Sequence, residues 1–172
     1  MIQWFNDSIT QLPQGSLPRF AADVMLGRLA RWLRAAGLDV SYDNQATDDQ
    51  LVAIFLREKR CIVTRDRGLV RRRLLRRCIL IESDRLEEQL VEFFSKTSPI
   101  LDPGLLHPLS RCIDCNRPLV PARPEQARTR VPSYVFQRHT VFLFCPACDK
   151  FYWAGTHRDR IRKLLEKSCF TA

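Results

Sequence analysis

Between residues 19 and 95, short apolar runs alternate four times with amphipathic stretches, and few folds accommodate that rhythm. The apolar runs are "RFAAD", "LDVSY", "CIVT" and "CILIE"; the amphipathic ones are "MLGRLARWLRAAG", "TDDQLVAIFLREK", "RGLVRRRLL" and "SDRLEEQLVEFF". "CIVT" is too short and too uniformly apolar to have a wet face, as expected of a strand inside a parallel sheet. Leu26, Leu29, Ala30 and Leu33 recur at helical spacing, and Gly37 suits the end of that helix. Thr47 and Gln50 form a capping box ahead of a stripe of Leu51, Ile54 and Phe55. Strand–helix alternation of this kind implies an α/β fold with a central parallel sheet and helices on its faces.

The pattern is bounded on both sides. Residues 1–17 keep no steady period and read as an N-terminal arm; residues 18–96 form the α/β domain. "TSPILDPGLLHPLS" at 97–110 carries three prolines and a glycine and reads as a linker. A second module occupies 111–172, with "YVFQRHTVFLF" as its expected strand and a basic C-terminal helix from Thr156.

In a parallel sheet, ligands gather at the carboxyl ends of the strands. Asp23 closes the first strand, Asp66 stands two residues beyond the third, and Asp48 opens the helix after the second. Three acids from separate segments are therefore expected on one rim, where mutual repulsion calls for a counter-charge. Hard divalent Mg²⁺ or Mn²⁺ takes oxygen ligands and activates bound water against phosphorus. Each acid also has a plainer use: Asp48 and Asp49 suit a helix dipole, and Asp23 or Asp66 suits an N-cap. Asp49 and Asp84 are additional candidate acids, although Asp84 with Glu87 reads better as capping. No Walker, dinucleotide-binding or nucleophile-elbow pattern occurs in the chain.

Cys112-x-x-Cys115 and Cys145-x-x-Cys148, separated by 29 residues, make a four-thiolate set suited to structural Zn²⁺. Cys61 and Cys78 fall in core strands. Tyr152 and Trp153 suit base stacking or, more simply, the core of a small ribbon. The net charge is +9, and 23 of the 28 basic residues are arginine, whose forked donors match phosphate. RNA is the expected partner, with Arg28, Arg31, Arg34, Arg65, Arg67, Arg71, Arg72, Arg73 and His157 as candidate contacts. No run approaches the ~18 apolar residues of a membrane span. The N-terminal stretch lacks a secretory signal's charge and apolar core, so the expectation is a cytoplasmic protein.

Taken together, "RFAADVMLGRLARWLRAAGLDV", "DDQLVAIFLREKRCIVTRDRGL", the paired cysteines and "FYWAGTH" resemble the Mut-seven C-terminal RNase domain family, PIN-like nucleases fused to a zinc ribbon. The resemblance implies a PIN-like three-layer α/β/α sandwich with a small C-terminal zinc ribbon, and divalent-metal-dependent RNA cleavage. It places the acidic site on Asp23, Asp48 and Asp66, with Asp48 preferred to Asp49 for standing 18 positions before Asp66. Two other readings accompany it: a non-catalytic RNA-binding module, and a zinc-ribbon scaffold for protein partners. The sequence leaves open whether an inhibitory, antitoxin-like protein partner blocks the acidic site.

Overall fold

A computed structural model describes residues 17–153, 155 and 163 of the chain. The expected arm up to residue 16, the basic helix after Thr156, His157 and Cys169 lie outside them.

Four strands, β1 (Phe20–Ala22), β2 (Val40–Tyr42), β3 (Cys61–Thr64) and β4 (Cys78–Leu80), form one parallel sheet in the order β2-β1-β3-β4. Side chains alternate across it. Phe20, Ala22, Val40, Val63 and Ile79 join one core with Leu29, Leu33, Leu90 and Phe93. These come from α1 (Gly27–Ala35) and α4 (Leu86–Thr97). Ala21 and Ile62 point the other way, into a second core with Leu51, Val52, Phe55 and Leu69. That face is covered by α2 (Asp48–Glu58) and α3 (Arg67–Val70). The result is the expected α/β/α layering.

Local chemistry sets the boundaries. Thr47 accepts from the Gln50 amide while the Gln50 side chain accepts from the Thr47 amide, which completes the capping box of α2. The helix read from Met25 starts instead with a 3-10 turn over Val24–Leu26 and becomes α-helical at Gly27. Beyond α1, Gly37 takes φ +101, a region glycine enters freely. A methyl group there would also meet the His107 carbonyl oxygen at 2.5 Å. Gly37→Ala should therefore lower stability by about 2 kcal/mol or more, seen as a drop of several degrees in thermal melting.

Residues 97–110, read as a linker, pack against the domain: Leu101 and Leu106 enter the first core, and the Leu109 amide donates to Ala35 O at 2.9 Å, closing the end of α1. Asp84 does not cap α4, whose N-cap is Arg85 without a side-chain bond. Glu92 organises that turn instead. Its carboxylate accepts from the amides of Glu82 (3.0 Å) and Ser83 (3.1 Å), from Ser83 Oγ (2.9 Å) and from Lys96 Nζ (2.6 Å). Burial pushes the Glu92 carboxyl up, and these four donors outweigh it, leaving a pKa of about 2 against an ordinary 4.5. Because the folded value is depressed, the stabilisation is complete above pH 4.5 and lost as pH falls through 2. It amounts to about 3 kcal/mol. Glu92→Gln should flatten the fall of stability across that acid window, as measured by denaturant melts at stepped pH.

The second module is a three-stranded antiparallel sheet, β5 (Val120–Ala122), β6 (Phe142–Cys145) and β7 (Lys150–Trp153), in that order. The long strand expected over "YVFQRHTVFLF" is divided into α6 (Ser133–Arg138) and β6, after the short α5 (Pro124–Ala127). Packing explains the break: Ala127 at the end of α5, Val131 in the bend after it and Val135 in α6 bury together against Phe142.

Candidate active site and metal centre

The chain leaves β1 toward β2 on one side and β3 toward β4 on the other, so the connections diverge above the β1/β3 boundary. Such a switch point opens a crevice at the carboxyl ends of the strands. Asp23 follows β1 directly and Asp66 follows β3 by two residues. The Asp23 amide donates to Val63 O at 2.9 Å, so the two strands hold it in register.

Thr64, fully buried, ties the two acids together. Its hydroxyl donates to Asp23 Oδ2 at 2.6 Å and accepts from the Asp66 amide at 2.9 Å. Asp23 is 5% exposed, and a carboxylate that deep needs such a donor. Asp66 is exposed and caps α3, its Oδ1 accepting from the Gly68 amide at 2.6 Å.

Asp48 and Asp49 stand at the start of α2, both gripped by Arg72: Nη2 to Asp48 Oδ2 at 3.0 Å and Nη1 to Asp49 Oδ1 at 2.6 Å. The bond to Asp49 and the charges of Asp48, Asp49 and Asp66 push the Arg72 pKa up. One guanidinium thus senses acids from two segments of the rim. Asp48 is the more sheltered of the neighbours, its side chain 43% exposed against 89% for Asp49. Asp84 is turned to Arg65 in an ion pair, and Arg67 pairs with Glu82 at 2.8 Å. Arg65 Nε is buried without a hydrogen-bond partner.

The arginines expected at the surface divide. Arg28, Arg71 and Arg73 are exposed. Arg31 is half-exposed and holds Asp114 at 3.0 Å. Arg34 is a correction: it is buried, and it donates to Val40 O (2.8 Å), Ile113 O (3.2 Å) and Asp114 O (2.7 Å). Its task is to join α1 to the first cysteine knuckle.

Among the described residues, the four thiols of Cys112, Cys115, Cys145 and Cys148 form the set gathered within 4.8 Å; the aspartate oxygens are not drawn that close. Sγ atoms stand 3.8 Å apart for Cys112 and Cys148 and 3.4 Å for Cys115 and Cys145. A tetrahedron with Zn–S arms of ~2.3 Å has edges of ~3.8 Å, so the donor set fits zinc in both chemistry and size. Burial opposes ionisation of Cys112, but the Tyr152 hydroxyl at 3.1 Å and nearby amides pull its pKa down to about 6. Cys148 is pushed up to about 12, chiefly by its bond to Cys115 and by burial.

Each knuckle ends on a left-handed residue, Asn116 (φ 67) and Asp149 (φ 55). Asn and Asp tolerate that conformation, a signal the sequence reading overlooked. Asn116 also joins the modules: its Oδ1 accepts from the Val40 amide at 3.1 Å, and its Nδ2 donates to Asp39 at 2.7 Å. Asp39 further holds Arg60 at 2.6 Å and Arg111 at 3.4 Å. Burial pushes its carboxyl up, and the bonds from Arg60 and Asn116 bring it below the usual range.

Residues 18–165 match the family described as the Mut7-C RNAse domain, a span that takes in the acidic rim and all four cysteines. The chain belongs to that family. Membership points to a nuclease-like, RNA-related function. Comparisons with curated proteins and with solved structures return no match. No helix among the described residues is long and apolar enough to cross a membrane.

Proposed function

We propose that this protein is a divalent-metal-dependent ribonuclease that hydrolyses RNA phosphodiester bonds at Asp23, Asp48 and Asp66, with the zinc ribbon assisting RNA binding. The observation that carries it is the Thr64 bridge: a buried hydroxyl joins Asp23 and the Asp66 backbone at the switch point of the sheet. All-oxygen donors suit Mg²⁺ or Mn²⁺ better than softer metals. Such an ion, when bound, polarises the phosphate and lowers the pKa of its water.

The chain's own residues do the rest. Thr64 holds the Asp23 carboxylate in one orientation, and the α3 cap holds Asp66. Arg72 supplies the positive charge that the rim acids call for, and on arrival of a metal and a phosphate it can exchange a carboxylate for a phosphate oxygen. Arg28, Arg71 and Arg73 offer exposed donors to the rest of the strand.

The test is incubation of labelled RNA with the protein and with Asp66→Asn, in Mn²⁺, Mg²⁺ or EDTA. Metal-dependent cleavage by the natural protein and none by the variant supports the reading. Equal cleavage by both assigns it to another site or a contaminant. Binding without cleavage in every condition favours a non-catalytic RNA-binding module, to which the Arg72 grip on Asp48 and Asp49 lends some support. Binding indifferent to added salt would point instead to a protein-recruiting scaffold.

A further inference from the structure

A cavity of about 660 Å³ lies between α1 and the ribbon, and none of the rim aspartates lines it. Its walls combine aromatic rings (Trp32, Tyr134, Phe151, Trp153) with two cations, Arg31 and Arg138, and among the described residues no acidic side chain lines it. The volume is in the range of small-molecule sites. Rings among cations, without carboxylates, favour a ligand that is flat, aromatic and anionic. An unpaired nucleotide has all three properties. Tyr134 lines the cavity and is 62% exposed, so its ring is open to a stacking partner. Arg31 is anchored to Asp114 yet 56% exposed, so it is held in place with donors to spare.

The cavity is also placed along the path from the rim. Arg28, Arg31 and Ala35 share one face of α1, at helical spacing. Gly27, at the start of that helix, follows Asp23 by four residues. Arg31 and Ala35 are therefore roughly 6–12 Å along the axis from the rim end, at 1.5 Å per residue. The knuckle contacts through Arg34 and Asn116 fix the ribbon against α1, which keeps the two walls of the cavity in register.

We infer that this cavity is a base-binding pocket that lodges an unpaired nucleotide of the RNA while Arg28 and Arg31 carry the intervening phosphate toward the acidic rim. The inference rests on the ribonuclease reading for its choice of RNA and names the substrate class as single-stranded. A rigid pocket at a set distance from the cutting site also makes the ribbon a ruler for where the strand is cut.

The test uses the full chain in EDTA with a short single-stranded oligoribonucleotide carrying thiouridine. Ultraviolet crosslinks should map to Tyr134, Phe151 or Trp153. Tyr134→Ala and Arg138→Glu, both at exposed positions that leave the core intact, should each weaken binding about 5- to 20-fold, the range for loss of one stacking or phosphate contact. A fully duplex RNA should lose those crosslinks. Asp66→Asn should keep them; if the natural protein gives the crosslinks in EDTA yet cuts no RNA once Mn²⁺ or Mg²⁺ is supplied, the nuclease reading falls and the pocket stands. Crosslinks confined to other surfaces, with affinity unchanged in both variants, would overturn the pocket, whether or not the RNA is cut.

Discussion

With zinc held by the four cysteines, as we propose, removing it by strong chelation or by Cys112→Ser is expected to lower the melting temperature of the whole chain by well over ten degrees. Structural zinc bound by four thiolates supplies roughly 10–16 kcal/mol at neutral pH, more than the stability of most domains. The loss would not stay local. Arg34 is buried between α1 and the first knuckle, and its donors to Ile113 O and Asp114 O have no other partner once the knuckle opens. Asn116 would let go of Asp39 and of the Val40 amide at the edge of the sheet, leaving Arg60 and Arg111 around a weakened Asp39 site. A buried charge stripped of its partners costs several kcal/mol. The measurement is zinc content by elemental analysis alongside calorimetry: about one equivalent per chain, and a large downward shift on its removal. A chain free of zinc that melts at the same temperature would contradict this.

The sheet is legible because it follows from local rules. A strand buried on both faces comes to the surface at its end, and in the sequence Asp23 and Asp66 stand just past the ends of β1 and β3. The capping box at Thr47 and Gln50 closes over three residues and reads directly from the text. Arg34 was not legible. It sits beside the apolar stripe of α1, and what buries it is a backbone turn about 80 positions away. Asp84 beside Ser83 has the look of a cap, but Arg65 takes its carboxylate, and Glu92 from within the helix binds the amides of Glu82 and Ser83 ahead of it. The strand expected through residues 134–144 gives way to α6 before β6 for a similar reason: Val135 is buried with Ala127 and Val131, residues outside the stretch itself. Likewise the prolines of 97–110 suggested a linker, whereas its leucines fill the core and the end of α1.

The second large effect concerns Asp23. Asp23→Asn keeps the size of the side chain and leaves an oxygen to accept from Thr64, so the fold should persist with stability changed by about 1 kcal/mol. It removes a full charge from the deepest carboxylate of the rim. Cleavage should fall by about 10³-fold, the scale for losing one group that stabilises the transition state. RNA affinity should hold or rise, since a negative charge near the phosphates is gone. Thr64→Val would tell positioning from chemistry: it leaves every carboxylate in place but frees Asp23 and the Asp66 amide together, so kcat should drop while the affinity for RNA is kept.

Beneath each of these lies the claim that aspartates far apart in the chain share one divalent ion at the lip of the sheet. Titration of the zinc-loaded protein with Mn²⁺, followed by electron paramagnetic resonance without any RNA, tests it independently of activity. The account predicts saturable Mn²⁺ binding that weakens tenfold or more, about 1.4 kcal/mol, in each of Asp23→Asn, Asp48→Asn and Asp66→Asn. Arg72→Ala, which removes the competing cation, should tighten it. Binding curves that superimpose for the natural chain and all three aspartate variants would contradict the shared site.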